Sequence, residues 1–196
     1  MAQLTAQLLS VNVGVPHESR WTRPGVTGID KRPVDGPVAV TAPGPKGTGR
    51  VGLAGDRVYD VKYHGGDDQA VYAYPREELD HWAAELGRDL VNGVFGENLT
   101  TCGLDVNGAL IGERWRIGAD VVLEVTCPRI PCRTFAGWMG EQGWVKRFAR
   151  RCLPGPYLRV VAPGDIQAGD PIVVEHRPAG GQTVAEVFRA AMRQPT

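Results

Sequence analysis

Val121-Val122-Leu123-Glu124-Val125-Thr126-Cys127-Pro128-Arg129-Ile130-Pro131-Cys132-Arg133-Thr134-Phe135 sets a short β-branched run against a segment carrying two thiols, two prolines and two arginines. The run Val121 to Thr126 reads as a strand, and Pro128 and Pro131 forbid a helix between Cys127 and Cys132. Cys132 is therefore predicted on a rigid, non-helical segment just past a strand end. Arg129 and Arg133 lie close to it in sequence, and cations favour the thiolate, the form that ligates metals and attacks electrophiles. The competing reading is an ordinary buried cysteine, one of the most buried residue types.

Outward from that stretch, composition narrows the classes. The 196 residues suit one main domain with a small appendage. With 42% hydrophobic and 22% charged residues the chain has the make-up of a soluble globular protein, and no apolar run approaches the ~20 residues needed to span a bilayer. Residues 1 to 15 lack the basic start and continuous apolar centre of a signal peptide, since Asn12 and Gly14 interrupt them, so a cytoplasmic location is expected. The 22 basic and 22 acidic residues cancel, which removes the cationic field expected of a polynucleotide-binding module. Cys102, Cys127, Cys132 and Cys152 show no Cys-x-x-Cys spacing, which argues against a zinc ribbon or thioredoxin-type motif and for free thiols. The 26 glycines and 15 prolines point to many turns and short strands, hence to a β-rich fold.

The spacing predicts strands at Leu4 to Val13, Val26 to Ile29, Val38 to Val40, Ala70 to Tyr74, Tyr157 to Val161 and Ile172 to Glu175. Tyr59, Val61 and Tyr63 alternate with polar neighbours and predict a further half-buried strand running into His64-Gly65-Gly66. Asp30-Lys31-Arg32 reads as a solvated turn, and Gly164-Asp165 as another turn. Pro75 opens a predicted amphipathic helix whose face is Leu79, Trp82, Ala83 and Leu86 and which stops at Gly87. A second helix is predicted over 139 to 152, with Trp144, Val145, Phe148 and Cys152 on its apolar face. Thr183-Val184-Ala185-Glu186 is a capping box that opens a third, over 183 to 193, which cannot form a core alone and must dock on the body or on a second subunit.

His64-Gly65-Gly66 comes after the predicted strand with two glycines that allow a sharp turn or close approach to a ligand; taken alone it is weak evidence, because Gly-Gly after a strand is usually just a hairpin turn. Gly52 to Arg57 lacks the Gly-Lys-Ser/Thr ending of a Walker loop, and no dinucleotide fingerprint is present. His17, His81 and His176 have no metal-like spacing. Taken together, Gly52 to Arg57, His64-Gly65-Gly66, Gly96-Glu97-Asn98-Leu99 and Pro128-Arg129-Ile130-Pro131-Cys132, in this order, resemble the MOSC domain, named for the C-terminal part of molybdenum cofactor sulfurases. The likeness extends through Gly28 to Val34 and Tyr74 to Glu77, covers most of residues 5 to 176, and is most similar to the stand-alone bacterial YiiM-like branch linked to hydroxylaminopurine resistance. That branch carries a C-terminal extension of about three helices, shortened here to the Thr183 helix.

The resemblance implies a mainly β fold: a closed, mixed MOSC-type β-barrel with peripheral α-helices, spanning 1–177, followed by a linker and short helix over 178–196. It implies that Cys132 binds or carries the molybdenum cofactor (molybdopterin) or its sulfur, a soft thiolate suiting that metal. It also places Arg57, His64, Gly65, Asn98 and Arg129 on the segments that would hold the cofactor, where cations and backbone N–H groups would receive its phosphate. A family-level association with pyridoxal phosphate comes with it. The function implied is reduction of N-hydroxylated bases or related small molecules, with electrons from a separate flavin or iron–sulfur partner. A non-catalytic cofactor or sulfur carrier is the alternative, and a domain used only for protein contacts is a third reading. Neither a nucleic acid polymer nor a membrane is an expected partner, and a homodimer is compatible with the sequence.

Overall fold

The computed structural model describes residues 6 to 193. Leu4 and Thr5 of the predicted first strand lie outside them. The chain order is β1 (Gln7–Glu18), β2 (Val26–Pro33), β3 (Val38–Val40), β4 (Val71–Pro75), α1 (Arg76–Leu86), β5 (Leu99–Cys102), β6 (Arg114–Ile117), β7 (Val121–Pro128), α2 (Arg133–Met139), α3 (Trp144–Arg151), β8 (Pro156–Ala162), β9 (Gly164–Ile166), β10 (Ile172–His176) and α4 (Val184–Arg193), with a single 3-10 turn at Asp67–Gln69. Eight strands form one sheet in the order β10-β6-β7-β8-β4-β5-β1-β2, and β3 pairs with β9 in a separate ribbon. All pairings are antiparallel except β4 with β5.

The fold is mainly β and the sheet is mixed, as expected, but it is not closed into a barrel. Where closure would fall, the start of β1 meets the turn before β10 through one isolated bridge, Gln7 to Pro171, and a few backbone bonds such as Leu8 N–H to Asp170 O at 2.9 Å. The backbone bond from Ile172 N–H to Ala6 O at 2.8 Å flanks that bridge on its other side, and among the described residues no longer ladder joins β10 to β1.

Two apolar clusters hold the layers. Inside the curved sheet lie Leu8, Val11, Leu99, Trp115, Leu123, Val125 and Leu158, all at most 1% exposed. Between sheet and helices an aromatic cluster gathers Tyr74, Trp82, Phe95, Phe135, Trp144, Phe148 and Phe188, again at most 1% exposed. Trp82 and Trp144 meet with centroids 4.8 Å apart, and Phe95 and Phe135 at 5.2 Å edge to face, the tilted geometry aromatic rings prefer. Helix α4 contributes Val184 to the first cluster and Phe188 to the second, so it docks on the body. Its capping box is formed: Glu186 N–H donates to Thr183 Oγ1 at 3.1 Å and Thr183 N–H to Glu186 Oε2 at 2.8 Å.

Four local expectations are corrected. Residues 57 to 63 form loop and turns, closed by His64 N–H to Asp60 O at 3.0 Å; Tyr63 is 55% exposed, so its alternation with Val61 marks no sheet face. Of the helix predicted over 139 to 152 only α3, from Trp144, is helical; residues 140 to 143 are a linker with Gly140 and Gly143 in the left-handed region, and α2, ending at Met139, is a helix that the sequence reading does not predict. Gly164-Asp165 belongs to strand β9, not to a turn. Pro75 is the last residue of β4 and the cap before α1, which begins at Arg76.

Candidate functional site

Strand β7 runs through Cys127 to Pro128, and α2 begins at Arg133. Cys132 occupies the extended position that caps α2, with φ −126° and ψ 174°, so it is itself non-helical but is followed at once by a helix. Pro131 is no obstacle there, because a proline preceding a helix cap costs no intrahelical bond. Arg129 lies on the connection between β7 and α2, anchored by its N–H to Gly155 O at 3.0 Å.

Cys132 lines an open cleft. Arg57, His64, Gly65, Asn98 and Arg129 line the same cleft. The fold therefore brings together every residue that the resemblance picked out, from segments as far apart as 57 and 132. Burial pushes the Cys132 thiol up, but hydrogen bonding to His64, the positive charge of Arg129 and the N–H of Phe135 outweigh it and bring the pKa down to about 6. The thiol is thus mostly ionised at neutral pH.

Arg129 is only 6% exposed, with its guanidinium 3.9 Å from the Phe135 ring centroid and 5.3 Å from that of Tyr72. Burial alone would lower its pKa, yet Tyr72, Tyr157 and Cys132 push it up by more, so it stays charged. No carboxylate pairs with it among the described residues, and its Nη1 is buried with no hydrogen-bond partner. A buried cation with an unpaired donor is expensive unless something anionic meets it. Tyr72 and Tyr157, both pushed up chiefly by burial, remain neutral phenols beside it.

The other candidates play different parts. Asn98 is buried and fully engaged: Oδ1 accepts from Tyr72 N–H at 3.1 Å and Nδ2 donates to Asp56 Oδ2 at 2.9 Å. Its side chain ties β4 to the cleft wall. Arg57 is exposed, and its Nη1 donates to the Asp56 carbonyl at 3.2 Å. His64 ends the turn before Gly65 and Gly66, both in the left-handed region at φ 83° and 81°; a Cβ on Gly66 would meet the Lys46 backbone at 2.8 Å. Four cations, Lys31, Arg50, Arg57 and Arg129, line the cleft against two carboxylates, Asp56 and Asp60.

Lys31 is not in a solvated turn. It lies in β2, with Nζ 2.5 Å and 2.7 Å from the Asp56 oxygens, and both side chains are under 10% exposed. Asp56 also accepts from Gly14 N–H at 2.7 Å. Sequence reasoning likewise misses Tyr72, Tyr157 and Thr134; nothing in their local sequence separates them from ordinary strand and helix residues.

The remaining cysteines stand elsewhere. Cys127 lines a different hollow, with Lys46, Asp68 and Arg159, and burial pushes its thiol up. Cys102 is pushed up by burial and by Glu77. Cys152 caps α3 at φ 56°, its Sγ 3.1 Å from Ala149 O. Among the described residues no three His, Cys, Asp or Glu side chains converge on a metal position. A metal at Cys132 would have to arrive with most of its ligands, which is what a dithiolene-bearing pterin provides. Soft thiolate, unpaired buried guanidinium and cationic surplus all suit such an anionic group.

The pattern of the MOSC domain matches residues 60–173, more than half of the chain, and the chain belongs to that family. It is 34% identical over 170 residues to YflK of Bacillus subtilis, covering 86% of this chain and 73% of that one, and 31% identical over 170 residues to YiiM of Escherichia coli, covering 85% and 71%. A protein of Gibberella moniliformis named "Reductase" is 34% identical over 164 residues, but these are 82% of this chain and only 28% of that one. The crystal structure of YiiM from Geobacillus stearothermophilus superposes with a TM-score of 0.75 at 30% identity, covering 96% of this chain and 84% of that one. The stand-alone YiiM-like branch is the one to which the chain belongs. No helix among the described residues is long and apolar enough to cross a membrane.

Proposed function

We propose that this chain binds the molybdenum cofactor through Cys132 and reduces N-hydroxylated bases or related small molecules. The observation that carries the reading is the pairing, in one cleft, of a thiol brought down to about 6 with the unpaired Nη1 of Arg129. When bound, the cofactor would supply the two-electron chemistry. The chain's own residues would do the rest: Cys132 holds the metal, Arg129 and Arg57 face its anionic groups, and His64 keeps the thiolate hydrogen-bonded. The name of the Gibberella relative, "Reductase", agrees with the reaction class.

Electrons would come from a separate flavin or iron–sulfur protein. A reducing cytoplasm would keep Cys132 free, and a homodimer is compatible with the reading. The test is expression in a cofactor-producing host, followed by turnover of an N-hydroxylated base with a chemical electron donor. Molybdenum bound near one equivalent together with turnover supports the proposal; no molybdenum, or molybdenum without turnover, counts against it.

A second reading is favoured by the nucleophilicity of Cys132. A thiolate ionised at neutral pH and only partly buried could carry a persulfide sulfur to another enzyme. Transfer of cofactor or sulfur to an acceptor without turnover would favour this carrier.

A further inference from the structure

Neutral as a whole, with 22 basic and 22 acidic residues, the protein distributes its charge unevenly. Three stretches wall most of the cysteine cleft: the loop after β1 together with β2 (19–33), the long loop between β3 and β4 (41–70), and the β7–α2 connection with α2 (129–139). They hold ten basic residues against five acidic ones, which leaves twelve against seventeen for the rest of the chain. Ion pairing sharpens the contrast. Among the described residues, eight of the ten basic side chains in the walls form no ion pair, only Lys31 and Arg32 being matched, whereas eight of the twelve elsewhere are matched, as Arg147 is with Glu85 and Arg151 with Glu78. Three of the five wall carboxylates, Asp30, Asp56 and Asp68, are already taken up by such pairs. The surplus of positive charge is therefore concentrated at the cleft.

The unmatched cations accompany exposed apolar side chains. Trp21, Tyr63 and Ile130 are 39%, 55% and 46% exposed, and each directly adjoins in sequence a residue that lines the cleft, Thr22, His64 and Arg129 respectively. The Arg20 guanidinium lies 4.7 Å from the Trp21 ring centroid and Lys62 Nζ 5.3 Å from that of Tyr63, so ring and cation are presented to solvent together. A small inorganic anion would need the cations but not the apolar groups. Exposed aromatic rings interleaved with arginine are the make-up of a protein-binding surface, and a local positive field steers an acidic partner onto it.

We propose that the rim of the cleft carrying Trp21, Tyr63 and Ile130, with the unmatched cations around it, is the docking surface for an acidic flavin protein that delivers electrons to the Cys132 site. The proposal rests on the reductase reading for the need for a donor, and adds to it where the donor sits and what charge its face carries. The chain has neither a dinucleotide fingerprint nor an iron–sulfur cysteine pattern of its own, so the electrons enter from outside. Breaking the N–O bond of R–NHOH to give R–NH2 and water consumes two electrons and two protons. One flavin hydroquinone gives up both electrons at a single docking and ends as oxidised flavin, with the protons drawn from it and from water, whereas an iron–sulfur centre gives up one electron at a time. Such redox encounters are small and strongly salt-dependent, which suits a surface held together by exposed cations.

Calorimetric titration of the full chain with a flavodoxin, a small acidic FMN protein, tests it. Binding should weaken at least about tenfold from low to high ionic strength, and by a similar factor in the double variant Arg23→Glu, Lys62→Glu, which reverses two exposed wall cations. Lys146→Glu with Arg150→Glu reverses two exposed, unmatched cations on α3, which lines no part of the cleft, and should leave binding unchanged. In the cofactor-loaded protein, turnover driven by reduced flavodoxin should fall in the Arg23, Lys62 variant while turnover driven by a chemical electron donor keeps its wild-type rate. Binding that ignores salt or the wall reversals overturns the docking surface, as does an equal response to the α3 reversals. Capture by vesicles of anionic phospholipid in place of flavodoxin also overturns it, and so does a ferredoxin that binds and reduces the chain where flavodoxin does neither. Flavodoxin binding that depends on salt and on the wall cations, without turnover of any N-hydroxylated compound by either donor, would remove the reductase reading and leave the surface standing; turnover with the chemical donor and no flavodoxin binding would do the reverse.

Discussion

The guanidinium of Arg129 stands 3.9 Å from the centroid of the Phe135 ring, and these two residues bracket Cys132 from either side along the chain. The arginine is thereby held, charged and buried, without any carboxylate among the described residues to neutralise it. Replacing it should act on the thiol first. In Arg129→Met the Cys132 thiol is expected to rise above about 6, because a cation that lowers it is gone, and retained molybdenum should fall at least about tenfold. Folding should suffer little, since no carboxylate is left stranded and the Cys132 thiolate can take up a proton. Arg129→Lys keeps the charge but loses the planar stack on Phe135 and Tyr72, and should fall between the two. Thiol titration and metal content of the two variants check this.

Thiol reactivity should separate the cysteines without any cofactor. Alkylation followed against pH should show one thiol ionising near pH 6, removed by Cys132→Ser, while Cys127 and Cys102 ionise above the ordinary cysteine range. A single population of thiols titrating together would contradict the electrostatics described for the cleft.

Much of this cleft is legible in the sequence because its chemistry-bearing residues sit in short, dense motifs: Cys132 behind two prolines, His64 before two glycines, Arg57 at the end of a glycine turn. Pairing across the fold cannot be read in that way. Lys31 looks like a surface lysine between Asp30 and Arg32, and only the approach of β2 to the Asp56 turn makes it a buried ion pair. Asn98 sits on a motif segment, yet its amide is taken up by Tyr72 and Asp56. The alternation at Tyr59, Val61 and Tyr63 imitates a strand, but no neighbouring strand offers it a ladder, and the loop instead wraps the cleft. The closed barrel comes from resemblance alone, whereas β1 and the start of β10 meet at an isolated bridge and the sheet stays open.

Asp56 should be among the costliest residues to remove. Its carboxylate receives Lys31, Asn98 Nδ2 and Gly14 N–H in a buried cluster. Asp56→Ala strands the Lys31 ammonium, and loss of one partner of a buried pair costs about 3–5 kcal/mol. Denaturant unfolding should show that drop, and Lys31→Met in the same background should recover part of it.

Glu97 is fully buried and accepts from Gly93 N–H at 2.5 Å, Phe95 N–H at 2.9 Å and Thr100 Oγ1 at 3.0 Å. Burial nevertheless pushes its carboxyl up to about 7. The folded state then binds this proton more tightly than the unfolded chain does. Its contribution is complete below the unfolded value near 4.5 and is lost as pH rises through about 7. From pH 5 to 8 wild type should lose on the order of 2 kcal/mol relative to Glu97→Gln, whose side chain does not titrate. Parallel stability curves for the two proteins would contradict this.

Cys132 and Cys127 are five residues apart but open into different hollows, and only Cys132 shares its space with Arg129. The most direct measurement is the molybdenum content of wild type, Cys132→Ser and Cys127→Ser purified from a cofactor-producing host, with unfolding midpoints to show that all three fold. Cys132→Ser replaces a soft thiolate by a hard, protonated hydroxyl and should abolish metal retention at nearly unchanged stability, whereas Cys127→Ser should keep its metal and lose about 1–2 kcal/mol of packing at most. Full retention by Cys132→Ser, or equal loss from both variants, would contradict the assignment of Cys132 as the ligand.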